Sequence, residues 1–152
     1  MDKAIQILIV FLFSVGCLGY LYGIFQACWI SLQKPVNVDA MPAFLSSIIT
    51  SIGAVLATNL GAVLGIAISN PKSEYSTKFF SPFTVFAKPG ITTVQITACY
   101  IYILTLVVVA IVWGIKKFTT DPKQIVSTIP ELTKTLLGVI VGVFAITLAK
   151  KG

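Results

Sequence analysis

Polar positions thin out four times along this chain. Residues 4–31, 43–69, 91–115 and 129–149 are apolar or small almost without interruption. A helix rises about 1.5 Å per residue and needs roughly 20 apolar residues to cross about 30 Å of hydrocarbon. Each stretch reaches that length, and the first three have residues to spare for tilt or a stub beyond the bilayer. The pattern predicts an all-α integral membrane protein, a four-transmembrane-helix bundle with helices near 4–31, 43–69, 91–115 and 129–149. The pieces between them are too short for a separate soluble fold, so residues 1–152 read as one transmembrane domain. The first stretch is longer than a signal-peptide core and continues in apolar residues beyond Cys17, so it is expected to stay in the membrane.

Within each stretch, residue size divides the helix into faces. Helices in lipid gain little by hiding apolar surface from one another, so small residues that let backbones approach mark contact faces. In the second stretch Ser46, Ser47, Thr50, Ser51, Gly53, Ala54, Ala57, Thr58, Gly61, Ala62, Gly65 and Ser69 share one half of the cylinder. The bulky aliphatics hold the other half. Gly53, Ala57, Gly61 and Gly65 recur every fourth residue, a ladder suited to close helix crossings. The half as a whole is wider than close packing requires. It is read either as a packing face or as a surface that lines water, with Ser47, Thr50, Ser51, Ala54, Thr58 and Ala62 along the lining.

Asn59 stands apart, because it projects from the bulky half near mid-membrane. An unpaired amide there is costly. It is read as an interhelical hydrogen-bond clip or as one member of a polar ring in a conduction path.

The fourth stretch opens with Thr128-Ile129-Pro130-Glu131, which matches a capping box with proline in the first turn. Glu131, Lys134, Thr135, Gly138, Gly142, Ala145 and Ala149 then follow one narrow face. Glu131 and Lys134 can pair with each other at i, i+3, or set the charge of a vestibule. The first stretch carries its own close-packing motif, Gly19 and Gly23, with Gly16 and Gln26 on the same face. The third is bulkier, and Trp113 beside Lys116 and Lys117 reads as an interfacial anchor. The loop after the second stretch places Phe79, Phe80, Phe83 and Phe86 among lysines, a pattern for the headgroup region or for covering the bundle end. Ser81-Pro82 is expected to start a short helical turn there.

Composition agrees with the pattern and narrows the chemistry. Charged residues make up 11% of the chain against 57% hydrophobic, where a soluble domain carries about a quarter charged. The net charge is +6, carried entirely by lysine. Spread in ones and twos beside apolar stretches, these lysines indicate no nucleic-acid partner. Lys3, Lys72, Lys78, Lys88, Lys150 and Lys151 share one side, with Lys34, Lys116, Lys117, Lys123 and Lys134 on the other. The larger set favours both termini in the cytoplasm, and the membrane expected is a cell membrane, bacterial plasma membrane first.

Histidine is absent and the cysteines Cys17, Cys28 and Cys99 are isolated. Zinc and thiol-relay chemistry therefore lack their ligand spacing. The five acids Asp2, Asp39, Glu74, Asp121 and Glu131 are scattered. No enzyme activity, cofactor or metal is expected. Several glycine-rich faces, more than one monomer needs, point to a homo-oligomeric membrane pore or ion channel, and the small size also suits a toxin-like defence or lysis effector that permeabilises membranes. The alternative is a non-catalytic scaffold subunit whose small faces receive another membrane subunit. The partners expected are membrane lipid, further copies of the chain, or that subunit.

Overall fold

The computed structural model describes residues 3–81 and 90–149. It is all-helical, with no strand among the described residues. The long helices are α1 (Lys3–Leu32), α2 (Ala43–Ser69), α4 (Ile91–Ile115) and α5 (Thr128–Ala149), with a short α3 (Glu74–Phe80) and one 3-10 turn at Val38–Ala40. Their limits follow the edges of the apolar stretches. Among the described residues, three segments are long and apolar enough to cross a membrane: Ile7–Leu32, Ala43–Ser69 and Ile91–Ile115.

Local signals explain the ends. Ser73 caps α3 by accepting the Ser76 amide at 3.1 Å, and Lys78 pairs with Glu74 one turn earlier at 2.8 Å. This capped turn lies upstream of Ser81-Pro82, and Pro82 falls outside the described residues. Helix α4 stops where Lys117 and Phe118 turn left-handed, at φ 54° and 55°. The Phe118 amide then closes on the Trp113 carbonyl at 3.0 Å. The capping box expected at α5 does not form. The helix begins at Thr128 itself, which places the hydroxyl inside the first turn, and Thr128 Oγ1 has no hydrogen-bond partner.

The core gathers Tyr20 and Ile24 of α1, Ile49, Leu56 and Leu60 of α2, and Ile96, Tyr102, Leu106 and Val109 of α4, with Ile129 and Leu132 of α5. Burial in α1 begins at Cys17, and among the described side chains of α5 it ends at Thr133. Before Phe13 the described side chains of α1 are exposed, and Leu136 and Val139 are the last described side chains of α5 packed against the core. Outside the core stand Phe11, Leu12 and Leu18 of α1, Val55 of α2, and Leu104 and Ile111 of α4, a surface matched to lipid tails.

Buried polar bonds hold the packed end together. The Ser31 hydroxyl accepts the Val126 amide at 3.0 Å, joining the end of α1 to the approach of α5. Tyr20 and Thr105 hydroxyls meet at 3.1 Å. Thr105 already gives its proton to the Tyr102 carbonyl at 2.8 Å, so Tyr20 is the donor. At the opposite end α3 is tied to α4 by Tyr75 donating to Gln95 Oε1 at 2.7 Å, by Lys78 donating to the Thr93 hydroxyl at 3.2 Å, and by Tyr100 donating to the Phe79 carbonyl.

Candidate functional site

The two halves of α2 face opposite ways, and it is the bulky half that lies inside. Ile49, Leu56, Leu60 and Val63 are buried, whereas Ser47, Thr50, Ser51, Ala54, Thr58, Gly61 and Ala62 are exposed. Size complementarity is the reason. The Gly16, Gly19 and Gly23 face of α1 receives Ile48, Ile49 and Ile52 of α2, so large residues of one helix fill the space left by small residues of the other. The approach is tightest at Gly23, where an added Cβ would lie 2.8 Å from Ile49 Cγ1. Gly53 is the one ladder glycine turned inward, beneath Tyr20 and Leu132. A Cβ on Gly61, Gly65, Gly138 or Gly142 would meet nothing within 4 Å.

Three of the outward hydroxyls, unlike Ser47 and Ser51, do not require water to satisfy their protons. Thr50 donates to the carbonyls of Ser46 and Ser47, both at 3.1 Å. Thr58 donates to Ala54 O at 2.9 Å and Ser69 to Gly65 O at 2.7 Å. Such back-bonding lets a hydroxyl face lie against a protein neighbour, lipid or water with similar ease.

Where α2 turns toward α5, its small residues leave a groove. Its outer part, a recess of about 530 Å³, is lined by Ser46, Ser47 and Thr50 with Pro122, Ile125, Val126 and Ser127. Its inner part, a cavity of about 200 Å³, lies between Thr50, Gly53, Ala54 and Ala57 of α2, Tyr102 of α4, and Thr128, Glu131, Leu132 and Thr135 of α5. Thr50 borders both. The groove therefore brings Glu131 of α5 beside Thr50 and Ala54 of α2, far from it in the chain, with Ser47 in the outer part. Ser51, Thr58 and Ala62 remain on the open face of α2, and Lys134 is exposed one turn beyond Glu131. Glu131 and Lys134 form no ion pair; the Glu74–Lys78 pair is the one found among the described residues.

Asn59 lies apart from this groove. Its Nδ2 donates to Gln95 O at 2.9 Å and reaches Cys99 Sγ at 3.3 Å. It also lines an apolar opening of about 510 Å³ between α1, α2 and the start of α4, with Phe13, Val55 and Gln95. Trp113 is turned into the end of α4, where Nε1 donates to Thr119 O at 2.9 Å and the ring meets Phe118 edge-on at 5.2 Å. Phe79 stacks on Tyr100 at 5.7 Å. Phe80 closes α3, and Phe83 and Phe86 lie outside the described residues.

Sequence reasoning named Glu131 and the α2 hydroxyls but missed Tyr102 and Thr128 as members of the same cavity. Thr128 read as a cap. No periodicity within one helix reports a cavity built from three. Compared with known proteins, the chain matches no family model, no curated sequence and no solved structure.

Proposed function

We propose that α5 crosses the membrane with α1, α2 and α4, and that copies of this four-helix unit associate through their uncovered small faces to form a pore. One observation carries the reading: the half of α2 richest in small and hydroxyl residues stands outside the core of its own chain. A helix evolved only to face lipid has no use for Gly61 and Gly65 on its outer surface, where glycine weakens the helix by roughly 1 kcal/mol against alanine. Open glycines on α2 and α5 suit the close approach of another helix. The groove between these helices, with Thr50 and Glu131, then stands beside the contact and supplies a polar wall to the path. In this reading Asn59 stabilises the unit from within. The larger lysine set, on the side of the termini and the middle loop, favours both termini in the cytoplasm.

The test is assembly followed by flux. Purified full-length protein in mild detergent is expected to run as a discrete oligomer by mass photometry. Liposomes containing it are expected to lose a preset ion gradient. A monomer at all concentrations, or vesicles that remain ion-tight with oligomer present, removes the pore.

A second reading, a non-catalytic scaffold subunit, is favoured by the back-bonded hydroxyls. Because Thr50 and Thr58 have already placed their protons, the face can be covered by a foreign helix as readily as by water. Co-purification of one stoichiometric foreign membrane subunit, in place of a self-associated ring, selects it.

A further inference from the structure

The cavity between α2, α4 and α5 contains more oxygen than packing explains. Tyr102 is 1% exposed and lines it, yet its hydroxyl takes no hydrogen bond among the described residues. Thr128, on the same wall, is 3% exposed and its Oγ1 is buried without a partner. Buried hydroxyls are ordinarily bonded. The Thr128 hydroxyl is not, and it shares the cavity with the Tyr102 hydroxyl, so the pair marks a place for a ligand.

The remaining oxygens define its charge. Thr50 has given its proton to carbonyls of its own helix and Thr135 to Glu131 O, so both offer lone pairs to the cavity. The Glu131 carboxylate forms no ion pair or hydrogen bond among the described residues. The lining is therefore rich in acceptors and carries one negative charge. Glu131 is exposed, and a ligand of single positive charge neutralises its carboxylate. Among the described residues no three of His, Cys, Asp and Glu come together, as a tight divalent or transition-metal site would require. The volume of about 200 Å³ holds an ion and a few waters at about 30 Å³ each.

We propose that this cavity binds one small monovalent cation, an alkali ion or ammonium. Glu131 supplies the charge, and the hydroxyls of Thr50, Thr128, Thr135 and Tyr102 supply the surrounding oxygens. The proposal deepens the pore reading, since the cavity belongs to the same groove, but binding itself needs only one copy of the chain.

The test is the thermal midpoint of the full-length protein in detergent, with choline chloride replaced by sodium, potassium or ammonium chloride at constant ionic strength. A ligand that binds only the folded state raises the midpoint and saturates. At least one small cation is expected to do so, and the three arms separate alkali ion from ammonium. Glu131→Gln is expected to raise the half-saturating concentration about tenfold or more, as loss of a charged partner does. Tyr102→Phe keeps the ring and removes one oxygen, and is expected to weaken binding severalfold should Glu131→Gln fold poorly. Equal midpoints in choline and in all three small cations overturn the proposal. So does a shift that survives both substitutions, or a tighter response to calcium than to any monovalent ion. A saturable shift in protein that leaves vesicles ion-tight keeps the site and removes only the pore.

Discussion

The Asn59 amide nitrogen lies 2.9 Å from the backbone carbonyl of Gln95 and 3.3 Å from the Cys99 sulfur. Helices α2 and α4 are thus joined by a side chain that belongs to the bulky half of α2. The carbonyl it uses already accepts a bond within α4, so the clip draws on a second lone pair and leaves the ladder of α4 intact.

Asn59→Leu should remove this clip without opening a cavity. Interhelical hydrogen bonds in membranes are worth about 0.6–2 kcal/mol, and a loss of that size is expected in reversible unfolding by mixed micelles. Self-association and vesicle flux are expected to survive, because the partner of Asn59 lies in its own chain. Loss of assembly with unchanged monomer stability would assign the residue to an intermolecular contact instead.

The glycines divide into two classes with opposite expectations. At Gly23 a Cβ would sit 2.8 Å from Cγ1 of a fully buried Ile49, with Leu45 O at 3.6 Å. Gly23→Ala should therefore overpack the α1–α2 contact and cost about 1–3 kcal/mol. At Gly61 the space is open, so Gly61→Leu should leave the monomer no less stable, and more stable by up to about 1 kcal/mol through helix propensity. If copies meet through this face, the same substitution should abolish cross-linking between them. Retained cross-linking in Gly61→Leu removes the α2 face from the proposed interface.

The positions of the helices were legible in the sequence, and the direction in which they face was only half so. Apolar length alone yields α2 over 43–69 and α4 over 91–115 with the limits the structure has. The facing of α2 was hidden because small residues mark close approach without saying whose. The glycines of α1 mark a contact within the chain, and their partners are Ile48, Ile49 and Ile52 from the bulky half of α2. That leaves its own glycines outside. The α3 signal was present in Ser73, Glu74 and Lys78, a cap, a first-turn acid and an i, i+4 pair. The cavity at Tyr102 was not legible at all, since it depends on how three helices cross.

Ser31 is buried at 0% exposure and accepts the Val126 amide at 3.0 Å. Ser31→Ala would leave a buried amide without a partner, at a cost of about 1–3 kcal/mol. Ser31→Thr keeps the acceptor, and is expected to recover most of that loss if the extra methyl fits. The loss should appear as faster proteolysis of the 116–127 connection in detergent, since that connection loses its tie to α1. Equal proteolysis of wild type and Ser31→Ala would show that packing of Ile125 and Ile129 alone holds the segment.

The same Ser31–Val126 bond fixes which connections share a side, and so makes the number of crossings measurable. The 33–42 and 116–127 connections meet at one end of the helices, and the 70–73 turn lies at the other. Cys17, Cys28 and Cys99 are buried, so they should give little background to a membrane-impermeant maleimide. Single cysteines at exposed Asp39 and Lys123 should label from one side of sealed vesicles, and one at exposed Lys72 from the other. A cysteine appended after Gly152 reports on α5 directly. Labelling from the side of position 72 means that α5 crosses and the chain has four spans. Labelling from the side of positions 39 and 123 means that α5 lies along or beside the membrane, leaving three. In that case the Gly138 and Gly142 face could not take part in a pore, and association through α2 alone would have to account for any flux.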